Sequence, residues 1–154
     1  MDDLRTPPRP IADYLALGPR AVLLDEVLSV DDDGIVVAAH VDAGAVYFRD
    51  GVVPGVALIE YLAQTVGAFV GYHEVTAGRR APTGLLVACP SARFPAAGVA
   101  EGTSLRLEAA RFWGRREVGA FRCRAWACGE QLAEATLSVF RPEESMVESW
   151  KSQL

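Results

Sequence analysis

Three residues in one short segment stand at spacings that suit proton transfer beside a carbonyl group. They are Gly55, Glu60 and Gln64 in Val53-Pro54-Gly55-Val56-Ala57-Leu58-Ile59-Glu60-Tyr61-Leu62-Ala63-Gln64. Proline is tolerated in the first turn of a helix, where its missing N–H is no loss, so Pro54-Gly55 reads as a helix opening. The Gly55 N–H then has no partner within the helix and lies at its positive end, where it can stabilise charge on a carbonyl oxygen. Glycine also lets a substrate come close to the backbone. Glu60 is expected to be buried, because the segment around it is apolar. Burying an unpaired charge costs several kcal/mol, so it must be paired, protonated or placed for chemistry. A carboxyl group in apolar surroundings is harder to ionise, which suits proton donation or acceptance near neutral pH. Gln64 lies one turn further along the same face. A purely structural reading stands beside this one: Glu60 is held by a backbone amide, by Gln64 or by an arginine such as Arg93.

The surrounding pattern says what positions these groups. Residues 56–72 are hydrophobic or small almost throughout, the mark of a helix enclosed by other structure, with Gly67, Ala68 and Gly71 allowing close approach. Upstream, a short helix is predicted over 11–17 and a strand over 21–30 that includes Asp25 and Glu26. Asp31-Asp32-Asp33-Gly34 is a turn, and a second strand over 35–41 completes a hairpin. Residues 44–53 read as a loop. After Gly78-Arg79-Arg80 the apolar period changes to two, predicting strands over 84–89 (extending towards 94), 104–112, 118–128 and 131–140. Gly114-Arg115-Arg116 and Gly129-Glu130 supply turns. The predicted class is α+β: a hairpin, one long buried helix, and a four-strand meander that wraps it. Residues 142–154 predict a short amphipathic helix through Met146, Val147, Trp150 and Leu154, with Glu143, Glu144 and Lys151 placed as the helix dipole favours. One domain is expected over 1–154, with a Pro-rich lead-in over 1–10.

Composition narrows the function classes. Hydrophobic residues make up 51% of the 154, which argues against extensive disorder. A net charge of −5 argues against nucleic-acid binding. No run approaches the roughly 18 apolar residues of a membrane span, and the acidic start lacks the pattern of a secretion signal. Cys89, Cys123 and Cys128 are odd in number and lack CxxC spacing, which suggests a reducing cytoplasm, with Cys123 and Cys128 in one strand. His40 and His73, the only histidines, make a His-based metal site improbable, and no motif calls for a nucleotide, flavin or metal cofactor.

The segment 53–64 resembles the helix-opening motif of the FabA/FabZ-type 3-hydroxyacyl-[acyl-carrier-protein] dehydratases. Leu23-Leu24-Asp25-Glu26-Val27, Ala92-Arg93-Phe94-Pro95 and Gly102-Thr103-Ser104-Leu105-Arg106-Leu107 extend the similarity over roughly 12–141. The resemblance implies a hotdog fold, in which a sheet wraps a central helix, and a dimer with substrate tunnels at its interface. It implies that the Gly55 N–H binds the thioester carbonyl, with Val53 and Pro54 beside it. Glu60 is implied as a catalytic acid/base, with Gln64 helping to hold a water or the acid. The family's histidine loop is shortened here to Tyr47-Phe48-Arg49-Asp50-Gly51-Val52-Val53, as in the aryl-polyene (ApeP-like) branch. The Pro-His-Arg stretch of that branch is replaced by Leu17-Gly18-Pro19-Arg20, so neither expected place carries a histidine.

Neither histidine is assigned a catalytic role: His40 reads as a structural strand residue and His73 as an exposed one near the helix end. Three functions follow. The chain is a dehydratase-like subunit whose missing histidine comes from a homologous protomer, a non-catalytic subunit binding acyl thioesters or a carrier protein, or a homodimeric thioesterase or isomerase. Implied partners are an acyl thioester on acyl carrier protein or CoA and a second hotdog protomer, identical or homologous. Arg79, Arg80, Arg115 and Arg116 suit an acidic carrier surface or a phosphate, though turn arginines are ordinarily just solvated. Trp113 and Trp126 are candidates for a sheet edge or a dimer contact, and the 84–89 strand for a tunnel wall.

Overall fold

The computed structural model describes residues 10–154, so the Pro-rich lead-in expected over 1–10 lies, except for Pro10, outside the described residues. A 3₁₀ turn (Ile11–Tyr14) leads to β1 (Glu26–Val30) and β2 (Gly34–His40). β3 (Val52–Pro54) runs into a 3₁₀ turn (Gly55–Ala57) and α1 (Leu58–Thr76). Then follow β4 (Leu85–Arg93), β5 (Gly98–Ala100), β6 (Ser104–Arg115), β7 (Val118–Ala127), β8 (Glu130–Phe140) and α2 (Glu144–Lys151). This is an α+β hotdog fold: one antiparallel sheet curls round one long helix.

Alternation along the strands decides which face meets α1. Ile35, Val37 and Ala39 of β2, Leu105, Leu107 and Ala109 of β6, Phe121, Cys123 and Ala125 of β7, and Ala133, Ala135 and Leu137 of β8 are buried. Against them α1 buries Leu58, Tyr61, Leu62, Val66, Ala68 and Phe69, and the Phe69 and Phe121 rings meet edge-on at 5.5 Å. The alanines on the inner sheet face leave the helix room to sit close. Burial pushes the Cys123 thiol up to about 12, so it acts as a small core hydrophobe, whereas Cys128 is exposed in the turn after the strand rather than within it.

Two expectations about the sheet are corrected. The strand order is β1-β2-β6-β7-β8-β4, so β4 does not open a four-strand meander but lies beyond β8 as an edge. Sequence patterning reveals which residues form strands, but not which strand a long connection returns to. The loop expected over 44–53 also ends in β3, which pairs with β5 in a separate two-stranded sheet. Each of those strands has three residues, too short to show a period.

The first predicted strand is shorter than expected: it begins at Glu26, with the Asp25 N–H already bonded to the Ala38 carbonyl of β2. The predicted helix over 11–17 is reduced to the turn ending at Tyr14, which packs directly on α1. A Cβ added at Gly71 would lie 1.8 Å from the Tyr14 carbonyl oxygen. At Gly67 the nearest atom is the mobile Leu15 Cδ2, at 3.2 Å. The tail helix forms, but none of its residues is buried.

Backbone against backbone cannot adjust as a leucine terminus can. Gly71→Ala is therefore expected to destabilise the fold by about 2–3 kcal/mol. Gly67→Ala, which gains helix propensity, should stay within about 1 kcal/mol of wild type. Urea unfolding of the two variants checks the contrast.

Candidate functional site

Gln64 is the hub of the site. It is 5% exposed, and its side-chain amide is engaged at both ends. Its Oε1 accepts the Leu23 N–H at 2.9 Å, and its Nε2 donates to the Ala21 carbonyl at 2.8 Å and to Glu60 Oε1 at 3.1 Å. The Ala21 carbonyl and the Leu23 N–H are thus satisfied by a helix side chain instead of a neighbouring strand.

Glu60 is half-buried rather than enclosed, a correction to the sequence expectation. α1 turns it towards a cleft of about 660 Å³. Its partner is Gln64, one of the holders considered in the structural reading. Arg93 is elsewhere, on the open edge strand opposite Glu134.

The cleft follows one stripe of α1. Glu60, Ala63, Gly67, Val70 and Glu74 recur every three or four residues and all line it, with Gln64 beside Glu60. From residue 60 to residue 74 the stripe runs roughly 21 Å along the helix axis. Leu15–Leu17 of the lead-in, the start of β4 with Leu85 and Leu86, and the β6–β7 hairpin form the other walls. Of the 84–89 segment, Gly84, Leu85 and Leu86 line this cleft.

At the far end stands an ion cluster that sequence reasoning missed. Glu74 accepts Arg79 through Nε and, at 2.9 Å, through Nη2, and accepts Arg141 Nη1 at 2.8 Å. The Arg79 hydrogen bonds, helped by Arg141, hold the Glu74 carboxyl down at about 2 against the opposing effect of burial. Arg79 is therefore committed to this cluster and is not a free surface cation. Arg115 and Arg116 line the cleft at the hairpin.

Gly55 does not stand as expected. Its N–H donates to the Ala97 carbonyl at 2.9 Å, so it is engaged within the chain instead of facing a ligand. A Cβ there would lie 1.9 Å from the Ala96 oxygen. Glycine at this position is explained by residues 96–97 crossing the helix mouth. Val53, beside it, is fully buried, and Pro54 is half-buried in β3. Neither lines the cleft that holds Glu60.

Neither histidine bonds Glu60. The His40 imidazole is on the exposed sheet surface, 2.7 Å from Asp25 Oδ2 and 3.9 Å from Asp42 Oδ2, and the Asp25 hydrogen bond raises its pKa. His73 is half-buried, not exposed: its Nε2 lies 3.0 Å from the Asp31 carbonyl, and its ring meets Phe69 at 4.6 Å. It lines the cleft, but thirteen residues along α1 from Glu60, roughly 20 Å away. Among the described residues no cluster of His, Cys, Asp or Glu could hold a metal ion, and no helix is long and apolar enough to cross a membrane.

Comparison with known proteins places this geometry. Residues 9–150 match the ApeP-like family, described as ApeP dehydratase. A chain of the dehydratase heterocomplex ApeI:P from Xenorhabdus doucetiae superposes with a TM-score of 0.84 at 22% identity, covering 92% of this chain and 97% of that one. A hypothetical thioesterase with coenzyme A from Streptococcus pneumoniae gives 0.59 at 17% identity, covering 76% and 84%. The PaaI protein of the E. coli phenylacetic acid degradation operon gives 0.57 at 15%, covering 76% and 78%. At these identities the structural matches establish the shared fold.

Two expectations follow from the site itself. Gln64→Met preserves bulk but leaves the Leu23 N–H and Ala21 carbonyl without their partner, and should destabilise by about 2–4 kcal/mol. Glu60→Gln, at a half-buried position, should change stability by less than about 1 kcal/mol; denaturant titration separates the two. The depressed Glu74 carboxyl contributes stability that is complete above its ordinary value of 4.5 and is lost as pH falls towards about 2. Glu74→Gln should therefore flatten the acid limb of a melting-temperature profile over that window.

Proposed function

We infer the function from one established premise: this chain belongs to the ApeP-like dehydratase family. We propose that it supplies the acid of a 3-hydroxyacyl-thioester dehydration site, with the thioester carried on acyl carrier protein or CoA. The proton-abstracting histidine of that site comes from a homologous hotdog protomer. The carrying observation is the Glu60–Gln64 pair at one end of the cleft, with the cleft's histidine, His73, thirteen residues further along α1.

The chemistry divides as follows. Dehydration breaks the C2–H and C3–O bonds, forms the C2=C3 double bond and releases water. The hydroxyl is a poor leaving group unless it is protonated as it departs, and a carboxylic acid within hydrogen-bond reach can do this. The Gln64 Nε2 donor fixes Glu60 Oε1, so one carboxyl oxygen is oriented while the other stays outside that bond. Gln64 is itself immobilised by two backbone contacts, so the orientation is set before substrate arrives. The apolar stripe through Ala63, Gly67 and Val70 suits an acyl chain or the stem of its carrier arm and keeps water away. A second protomer must supply the base that takes the C2 proton.

The open edge of the sheet supports a paired assembly. All nine residues of β4 are exposed, including Leu85, Leu86 and Val87. Such an unpaired apolar edge is a template for another strand. The heterocomplex formed by the Xenorhabdus protein is consistent with this arrangement.

The test is the dehydration of a 3-hydroxyacyl thioester by the chain reconstituted with a homologous hotdog subunit that carries the histidine. Glu60→Gln should lower the rate of the complex by about a hundred-fold or more, the scale of a general acid–base contribution, with assembly and melting temperature unchanged. Full activity of the Glu60→Gln complex would leave this chain a binding or scaffolding subunit instead.

A further inference from the structure

The outer face of the sheet carries a row of charge that ends on the open strand. Strand register places Glu108 of β6 beside Arg124 of β7, Arg124 beside Glu134 of β8, and Glu134 beside Arg93 of β4. The signs alternate across four strands. Within the row, Arg124 Nε lies 3.7 Å from Glu134 Oε1. Directly opposed residues on antiparallel strands share a face, and opposite charges there attract while like charges repel. Arg93 is the last member, and the position beyond it is empty in the single chain.

The strand itself limits what can fill that position. β4 reads Leu85-Leu86-Val87-Ala88-Cys89-Pro90-Ser91-Ala92-Arg93 and contains no carboxylate. A two-fold axis anywhere along it sets Arg93 against an uncharged residue or against its own copy. Cys89 and Pro90 fall between the paired Ala88 and Ser91, at a register shift. Proline cannot donate to a ladder, so self-pairing would put two donor-less, irregular stretches on the same short edge. The opposite edge of the sheet, β1, is five residues long and is bridged by Pro10, so it offers no comparable template.

We propose that Arg93 selects the partner. β4 receives the edge strand of a different, homologous hotdog chain that presents an Asp or Glu opposite Arg93, and it discriminates against a second copy of this chain. The proposal rests on the paired-protomer reading above and adds to it the residue and the charge that make the pair unlike. It extends the row Glu108–Arg124–Glu134–Arg93 by one carboxylate across the interface.

The experiment measures the dissociation constant of the complex with a homologous, histidine-bearing hotdog subunit at low and moderate salt, for wild type, Arg93→Gln and Arg93→Glu. Arg93 is exposed, so melting temperatures should be equal. Turning an attractive cross-strand pair into a repulsive one should weaken the complex about ten-fold for Arg93→Glu, with Arg93→Gln in between. Salt should erode the wild-type affinity more than that of Arg93→Gln. Equal affinities for all three proteins would overturn the charge selection and leave the paired site intact. Self-association of the wild-type chain tighter than its hetero-association would overturn the discrimination. Absence of any complex with the wild-type chain would overturn this proposal and the paired-protomer reading together.

Discussion

A single buried carboxamide holds the site and part of the fold in place. Gln64 is inside the protein, and a polar group there must find partners or destabilise the whole. It finds them on Ala21 and Leu23, in a stretch with no ladder of its own, and on Glu60. Each contact depends on the others. At 21 and 23 a helix side chain takes the place of a neighbouring strand. Glu60 stays oriented because the amide that reaches it cannot turn without breaking the other contacts. The backbone at 21 and 23 and the orientation of the acid both depend on one residue.

Around that hub the sheet and helix solve separate problems. Inward alanines and leucines let the sheet curl close to α1, and Gly71 lets the lead-in turn cross it backbone to backbone. The stripe from Glu60 to Glu74 opens on a cleft walled by the start of β4 and the β6–β7 hairpin. That cleft, with a carboxyl group at one end, and the exposed edge strand ending in Arg93 are the two surfaces open to a partner. A second hotdog protomer suits both, which is the physical ground for reading the chain as one half of a site.

Much of this was legible in the residues. Period-two runs marked β6, β7 and β8, the long apolar run marked α1, and the Pro-Gly turn marked where the helix opens. The spacing of Glu60 and Gln64 forecast their contact. What stayed hidden depended on long-range placement. The return of β4 to the far side of β8 is decided by packing, and β3 with β5 is too short to carry a pattern. Gly55 was read as a ligand-facing amide because its neighbour across the helix mouth, Ala97, lies more than forty residues later. The Glu74–Arg79–Arg141 cluster joins the end of α1 to the end of β8, a pairing that no local signal announces. The register that lines up Arg93 with Glu134, Arg124 and Glu108 likewise exists only once the strand order is known.

The central claim is that Glu60 works opposite a histidine this chain does not contain. A crystal structure of the chain with a homologous, histidine-bearing hotdog subunit tests it most directly, through the distance from the Glu60 carboxyl to the nearest partner imidazole. The account predicts a partner histidine opening into the cleft close enough for substrate to lie between the two groups, roughly 6 Å away or less. A cleft closed by the partner with no imidazole within about twice that distance would contradict it.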